Sequence, residues 1–157
     1  MDAALEAQIA DILAKGQDLT LATIREDGFP QAVVLSYVSE GLDFYVGTDA
    51  ASQKARNIAR CPKVSATITL PYRDWNEIKG VSIGGIAERI TNPNELAYAA
   101  KLMVDKFPQT VDFLDPSMPP PAMYRIAPKV ISVLDYAKGF GHTDLVTVGT
   151  PVAKTAA

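Results

Sequence analysis

The chain has 157 residues, of which 48% are apolar, and a formal net charge of −3. This length predicts one compact domain over residues 1–157 that buries about two-thirds of its surface, and a weakly acidic chain without a run of Lys or Arg is not expected to bind nucleic acid. No segment has the apolar length that spans a bilayer, and the first residues lack the basic region of a secretory signal, so we expect a cytoplasmic protein without a membrane partner.

The single cysteine and the single histidine limit the metal and redox chemistry. Cys61 cannot form a disulfide within the chain, and together with His142 it supplies too few ligands for a structural zinc site. We therefore predict no metal site.

Residues 1–16 predict an amphipathic helix. Asp2 is a candidate N-cap and Gly16 follows the helix as a candidate C′ residue. The apolar residues recur at helical spacing, at Leu5, Ile9, Ile12 and Leu13.

Short segments with an apolar period of two follow the helix. "DLTLATIRE" and "PQAVVLSYVSE" flank an Asp-Gly turn and predict a β-hairpin. Two helices interrupt the strands, at "SQKARNIAR" and at "TNPNELAYAAKLMVDKF" with its Asn or Thr cap. The remaining strands are predicted at "LDFYVGT", "KVSATITLP" and "IKGVSIGGIAERI", and in a closing hairpin of "MYRIAP" and "KVISVLDYA".

This order of elements predicts the fold class. Six or seven short strands, mostly joined by tight turns, favour an antiparallel β-barrel with flanking helices, because each pair of parallel strands would need a helical crossover. Gly84 and Gly85 lie inside a strand pattern, which predicts a bulge or a close backbone approach rather than a dinucleotide-binding loop. Residues 137–157 are predicted as a C-terminal loop and tail.

The start of the second helix is a candidate anion site. A helix that begins at Ser52 leaves its first N–H groups unpaired and presents the positive end of its dipole. Ser52 and Lys54 could complete a phosphate site there. The alternative is an ordinary capped surface helix with a solvated lysine.

The string "SQKARNIARCPKVSATI", with Thr48 four residues before Ser52, "GFPQAVVLSYV" upstream and "GGIAERI" downstream, resembles the pyridoxamine-phosphate-oxidase-like family of FMN-binding split barrels. The match covers roughly residues 18–136. It implies a mainly β, antiparallel, Greek-key split barrel. It also implies a homodimer with the flavin sites between the subunits.

The resemblance also implies the residues of a flavin site. The phosphate would lie at Ser52 and Lys54, with Gln53 where many members have an arginine. The loss of that arginine removes one charge-assisted hydrogen bond. The flavin ring would lie along Val33, Val34, Leu35 and Ser36, closed over by Gly47 and Thr48.

The C-terminal part of the resemblance bears on the substrate. Where the founding enzyme of the family has an Arg-x-His-x-Arg set that binds its substrate, this chain has Phe140, His142 and Asp144. Because Asp144 would repel a phosphate, pyridoxamine phosphate is not the expected substrate. His142 is the candidate catalytic residue, although a surface histidine that caps a loop is the alternative.

Two classes of function follow from the resemblance. The first is an FMN-dependent oxidoreductase that acts on a small molecule, or a reductase that uses a deazaflavin instead. The second is a non-catalytic module that stores or senses FMN or haem, with His142 as the one histidine that could bind the haem iron.

Overall fold

The secondary structure follows the predicted order of elements in a computed structural model that describes residues 1–149. Short 3-10 turns lie at Trp75–Glu77, Pro108–Phe113 and Tyr136–Lys138. The helices and strands are α1 (Ala3–Lys15), β1 (Asp18–Ile24), β2 (Pro30–Glu40), β3 (Asp43–Thr48), α2 (Gln53–Arg60), β4 (Lys63–Thr69), β5 (Lys79–Arg89), α3 (Pro93–Lys106), β6 (Ala122–Asp135) and β7 (Thr143–Thr147).

Six of the strands close into an antiparallel barrel. The sheet order is β3-β2-β1-β4-β5-β6-β7, and an additional pairing of β3 with β6 joins the two ends of the six-stranded part. The predicted hairpin of β1 and β2 is confirmed, with Leu19 opposite Leu35 and Thr23 opposite Gln31. The predicted fold class, an antiparallel barrel with flanking helices, is therefore correct.

The predicted closing hairpin of "MYRIAP" and "KVISVLDYA" is wrong, because both segments belong to the single strand β6. Pro128 does not end the strand, since the ladder with β5 contains a bulge at this point. Gly84 pairs with Val130 whereas Gly85 pairs with Pro128, which leaves Lys129 as the extra residue. The bulge expected at Gly84 and Gly85 is confirmed.

The loop and tail predicted over residues 137–157 contains a strand. Thr143–Thr147 forms β7, which pairs with the second half of β6 from Val130 to Leu134. The alternating pattern of this strand covers only five residues, between Gly141 and Gly149. A pattern of this length is too short to predict a strand. Residues 150–157 of the predicted tail lie outside the described residues.

The core fills the barrel and extends under α1. Ile9, Ile12 and Leu13 of α1 are buried with the inward residues of the strands. Tyr37 is fully buried, packs edge-on against Phe44 with the ring centroids 6.1 Å apart, and donates its hydroxyl to Leu13 O at 2.6 Å. This bond satisfies a carbonyl in the last turn of α1, which otherwise has no partner within the helix.

Gly16 ends α1 for a different reason from the one predicted. Its φ of −65° is accessible to any residue, so no left-handed C′ conformation is involved. A Cβ on Gly16 would lie 2.4 Å from Tyr37 Oη and 2.6 Å from Ile68 Cγ2. The glycine therefore allows the close approach of α1 to the barrel.

Helix α3 covers part of the outer surface of the barrel. Asn92 caps it by accepting from the backbone N–H groups of Asn94 and Glu95, as predicted. Its apolar side packs on a second cluster that includes Val38, Tyr45 and Met123. Among the helices of residues 1–149, none has the length and apolarity required to cross a membrane.

Candidate functional site

The barrel is open where β2 and β3 diverge. β3 pairs with β2 only over residues 37–40, whereas residues 30–36 of β2 pair with β1 alone. Beyond Val46, β3 pairs only with β6, through Gly47 and Thr48. In the described part of the chain, the second edge of residues 30–36 therefore has no strand partner, and its N–H and C=O groups are available to a ligand.

A cavity of about 410 Å³ begins at this divergence. It lies on the outer side of the barrel, between the strands and the segment that follows α3. Its polar lining comes from Ser36, Thr48, Asp49, Gln109 and Thr110. Its apolar lining comes from Gly47, Met103, Phe107, Phe113, Pro121 and Met123. An apolar cavity with a few polar groups is the usual form of a site for a small molecule or cofactor.

The start of α2 lies next to the cavity. The helix predicted to begin at Ser52 begins at Gln53 with Ser52 as its N-cap, and the Ser52 Oγ accepts from the N–H of Ala55 at 3.3 Å. The same Oγ is 3.3 Å from Thr48 Oγ1, which links the helix start to the cavity wall. Among residues 1–149, the backbone N–H groups of Gln53 and Lys54 have no acceptor, and the Lys54 side chain has no hydrogen-bond or ion-pair partner.

One charge at the helix start opposes an anion. Asp49 lines the cavity, and its Oδ1 accepts from the N–H of Ala51 at 2.8 Å. This carboxylate lies at the positive end of the α2 dipole, where it is itself stabilised. Asp49 already accepts the N–H of Ala51. The donors left for an anion are the N–H groups of Gln53 and Lys54, the hydroxyls of Thr48 and Ser52, and the Lys54 ammonium.

A buried polar network that the sequence analysis missed fixes α2 to the barrel. Asn57 is 2% exposed, and its Nδ2 donates to Thr23 Oγ1 at 2.9 Å and to Gln31 Oε1 at 3.1 Å. Its Oδ1 accepts from Gln53 Nε2 at 2.8 Å. Because Arg56 donates to Gln53 Oε1, both the nitrogen and the oxygen of the Gln53 amide are bonded within the protein.

The predicted cofactor residues divide into three groups. Ser36, Gly47 and Thr48 line the cavity, and Ser52 and Lys54 lie at the adjoining helix start. Val34 lies on the outer face of β2 with 68% of its surface exposed, while Val33 and Leu35 point inward and pack against the core. Gln53 lines a separate recess of about 380 Å³ beside residues 25–27.

His142 lies far from the cavity within one chain. The cavity includes Met123 near the start of β6, whereas the carbonyl of His142 accepts from the N–H of Asp135 at the end of that strand. The part of β6 between Met123 and Asp135 corresponds to roughly 40 Å of extended strand. His142 could therefore meet a ligand of this cavity only in another copy of the chain.

The side chain of His142 forms an ion-pair cluster at its own end of the barrel. Its Nε2 is 3.1 Å from Asp144 Oδ2, and Lys138 Nζ donates to the same oxygen at 3.0 Å. The bonds from Lys138 and then His142 lower the pKa of the Asp144 carboxyl. The carboxylate is thus ionised and fixes the orientation of the imidazole.

Lys106, at the end of α3, is a second residue that the sequence analysis missed. Its Nζ donates to Gly16 O at 2.6 Å and to Tyr37 O at 3.0 Å, and lies 4.2 Å from the centre of the Tyr37 ring. Burial lowers the pKa of this ammonium. It lines a polar cavity of about 480 Å³ that shares Ser36, Phe107 and Gln109 with the first cavity.

Comparison with known families identifies the chain. The family model described as pyridoxamine 5'-phosphate oxidase matches residues 5–135. The chain belongs to this family. A search of curated proteins by sequence found no match.

Solved structures of the same fold come from several bacteria. A heme binding protein from Mycobacterium smegmatis is 25% identical with a TM-score of 0.76, and the match covers 94% of this chain but 58% of that protein. A conserved hypothetical protein from Mycobacterium tuberculosis is 26% identical with a TM-score of 0.75 over 96% of this chain and 95% of the other. A FAD-binding protein from Mesorhizobium loti shares the fold at 18% identity, with a TM-score of 0.67 over 85% of this chain and 94% of the other.

The donor set of the site fits a flavin that carries a phosphate. The open edge of β2 offers backbone groups to the polar edge of a ring, and the apolar lining offers surfaces for its faces. The unpaired N–H groups of Gln53 and Lys54, with the ammonium of Lys54, suit a phosphate. Asp49 is the one group in this set that disfavours the binding of a phosphate, because its carboxylate is negatively charged.

We predict that Asn57→Ala destabilises the fold by about 1–3 kcal/mol, because it leaves the buried hydroxyl of Thr23 without its bond to Nδ2. Urea unfolding measures this loss. Asn94→Ala, in the exposed first turn of α3, is the control and should change stability by less than about 0.5 kcal/mol. Equal effects of the two changes would contradict a stabilising role for the Asn57 network.

Proposed function

We propose that this protein binds flavin mononucleotide and uses it as an oxidoreductase that acts on a small molecule. The observation that carries the proposal is the position of the open edge of β2 next to a helix start with unpaired N–H groups. Membership of the pyridoxamine 5'-phosphate oxidase family supports a flavin as the ligand.

In this proposal the phosphate lies at the start of α2. The N–H groups of Gln53 and Lys54 donate to it, together with the hydroxyls of Thr48 and Ser52 and the ammonium of Lys54. The ring lies along residues 33–36, where Ser36 and the open backbone edge bind its polar groups. When bound, the flavin supplies hydride or electron transfer, and the chain orients it and excludes water.

The proposed substrate is not pyridoxamine phosphate. Asp144 stands where a phosphate-binding arginine would be expected, and its carboxylate already binds Lys138 and His142. The ammonium of Lys138 is thus paired, so this ion-pair cluster offers no surplus positive charge to a substrate phosphate.

We predict that FMN binds this protein and raises its melting temperature, and that Lys54→Ala weakens FMN binding by about 10-fold or more. A charge-assisted hydrogen bond contributes about 1.5–3 kcal/mol, and each 1.4 kcal/mol corresponds to about 10-fold in affinity. Fluorescence titration with FMN measures the change. Lys63→Ala is the matched control, because Lys63 carries the same charge but is exposed at the start of β4.

Riboflavin distinguishes the phosphate site from the ring site. It lacks the phosphate, so we expect weaker binding to the unmodified chain and no further loss in Lys54→Ala. Equal affinities for FMN and riboflavin would rule out the phosphate site at α2. Binding of a deazaflavin in preference to FMN would support the deazaflavin-dependent reductase that the family resemblance also allows.

We further propose a two-fold homodimer with the cofactor site at the subunit interface. The outer strand faces expose large apolar residues, with Val34 68% and Leu145 76% exposed in a single chain. Exposed apolar surface of this kind favours association. A two-fold dimer would also let the cavity of one copy approach the His142 end of its partner, which one chain does not do.

We predict that size-exclusion chromatography with light scattering gives a dimer, twice the 16.8 kDa of the chain. Leu145→Glu should shift the equilibrium towards monomer, because it places a charge in the buried interface. Lys63→Glu, at an exposed polar position, should leave the dimer intact. A wild-type monomer at micromolar concentration would refute the proposed dimer.

We propose His142 as the proton donor or acceptor of the reaction, supplied across the dimer. His142→Ala should leave FMN affinity unchanged and slow flavin reduction or reoxidation by about 10-fold or more. Stopped-flow absorbance of the bound flavin measures both rates. Thr143→Ala, at the exposed neighbour that begins β7, is the control. Rates unaffected by His142→Ala would leave His142 as a loop-capping residue.

A haem-binding module is the second candidate. The 25% identity with the heme binding protein of Mycobacterium smegmatis favours it, and Asp144 orients His142 as carboxylates orient metal-bound histidines. The visible spectrum of the purified protein separates the two candidates. A flavin spectrum that is bleached by NADH or NADPH supports the oxidoreductase, whereas a haem band that is lost in His142→Ala supports the module.

A further inference from the structure

A cluster of aromatic residues is exposed at the end of the barrel opposite the cavity. Trp75 and Phe140 are 64% and 75% exposed, although large aromatic residues usually lie in the core. Their rings stack at a centroid distance of 5.8 Å and an angle of 30°. Tyr136 packs edge-on against Phe140 at 5.4 Å. Phe140 covers one face of the Trp75 ring, and the exposure of Trp75 leaves its other face accessible.

The loops that carry this pair are held together by backbone hydrogen bonds. Tyr136 N donates to Ile78 O at 3.0 Å, which joins the turn of Trp75 to that of Phe140. Gly139 and Gly141 have φ values of +145° and +77°, which side chains disfavour. These contacts make the aromatic pair a preformed surface, so a ligand would not have to order it.

A cationic group borders the pair. Arg73 lines a recess of about 520 Å³ with Trp75 and Phe140, and its guanidinium has no hydrogen bond or ion pair with any of residues 1–149. Two carboxylates lie close by, Asp74, which also lines the recess, and Glu77. They keep their negative charge but accept backbone N–H groups, Glu77 from Arg73 N at 3.0 Å and Asp74 from Asn76 N at 2.9 Å, and within residues 1–149 neither is paired with the guanidinium. The guanidinium is therefore free to bind an anionic group beside the rings.

We propose that this recess binds a mononucleotide, in which an aromatic base carries a phosphate. The base stacks on the free face of Trp75, and Arg73 binds the phosphate. The Asn76 side chain offers hydrogen bonds to the edge of the base. The site uses none of the residues around α2 or the β2 edge, and in the proposed dimer it would adjoin the cavity of the partner, because Phe140 lies two residues from His142.

The experiment uses the single tryptophan of the chain as its probe. Because Trp75 is the only tryptophan, tryptophan emission reports on this recess directly. AMP titrated into the purified protein should quench the emission and reach saturation. Adenosine, which lacks the phosphate, should bind at least about 5-fold more weakly. Ribose 5-phosphate, which lacks the base, should cause no quenching.

Three variants test the assignment of residues. Arg73→Ala should weaken AMP binding by about 5-fold and leave adenosine binding unchanged. Phe140→Ala should weaken both ligands, whereas Phe29→Ala, at a phenylalanine that is also 70% exposed, should affect neither. Lys54→Ala should bind AMP normally, which keeps this test separate from that of the flavin site.

Four results would overturn the proposal. These are the absence of saturable quenching by AMP, equal binding of AMP and adenosine, equal effects of Phe140→Ala and Phe29→Ala, and loss of AMP binding in Lys54→Ala.

Discussion

The antiparallel pairing of β3 with β6 is the constraint on which the rest of the structure depends. It closes the barrel, with Val46 opposite Tyr124 and Thr48 opposite Ala122. β3 pairs with β6 as far as Thr48 but with β2 only as far as Val46, so residues 30–36 of β2 keep one edge open. The same pairing places the start of α2 beside that edge. Closure of the barrel and the opening of the site therefore both occur along β3, on its two opposite edges.

Local sequence signals were sufficient for most of the fold. The Asp27–Gly28 turn, the Ser52 and Asn92 caps and the period-two patterns act within a few residues of each other, and the elements they predict are confirmed. The error at β6 has a long-range cause. Pro128 normally ends a strand, but the bulge opposite Gly84 and Gly85 accommodates it, and that bulge depends on a strand more than 40 residues earlier.

The candidate site was predictable to a similar degree. Ser52 was identified because the residues of a helix cap are adjacent in sequence, and Thr48 because the family motif includes it. Asn57 and Lys106 were missed because their partners are distant in sequence. Asn57 bonds to Thr23, and Lys106 bonds to carbonyls at Gly16 and Tyr37. A polar residue on a helix has no sequence pattern that reveals such partners.

The place of β6 in the chain has a consequence for synthesis in the cell. β6 pairs with β3, β5 and β7, and of the strands within residues 1–149 only β7 is made after it. Until β6 leaves the ribosome, β3 and β5 each have an unpaired edge, and the apolar interior of the barrel is exposed on the side that β6 covers in the folded protein. Non-local strand pairing of this kind is slow, and open edges favour aggregation. A nascent chain truncated before Ala122 should therefore bind chaperones, and release from them should follow the emergence of β6.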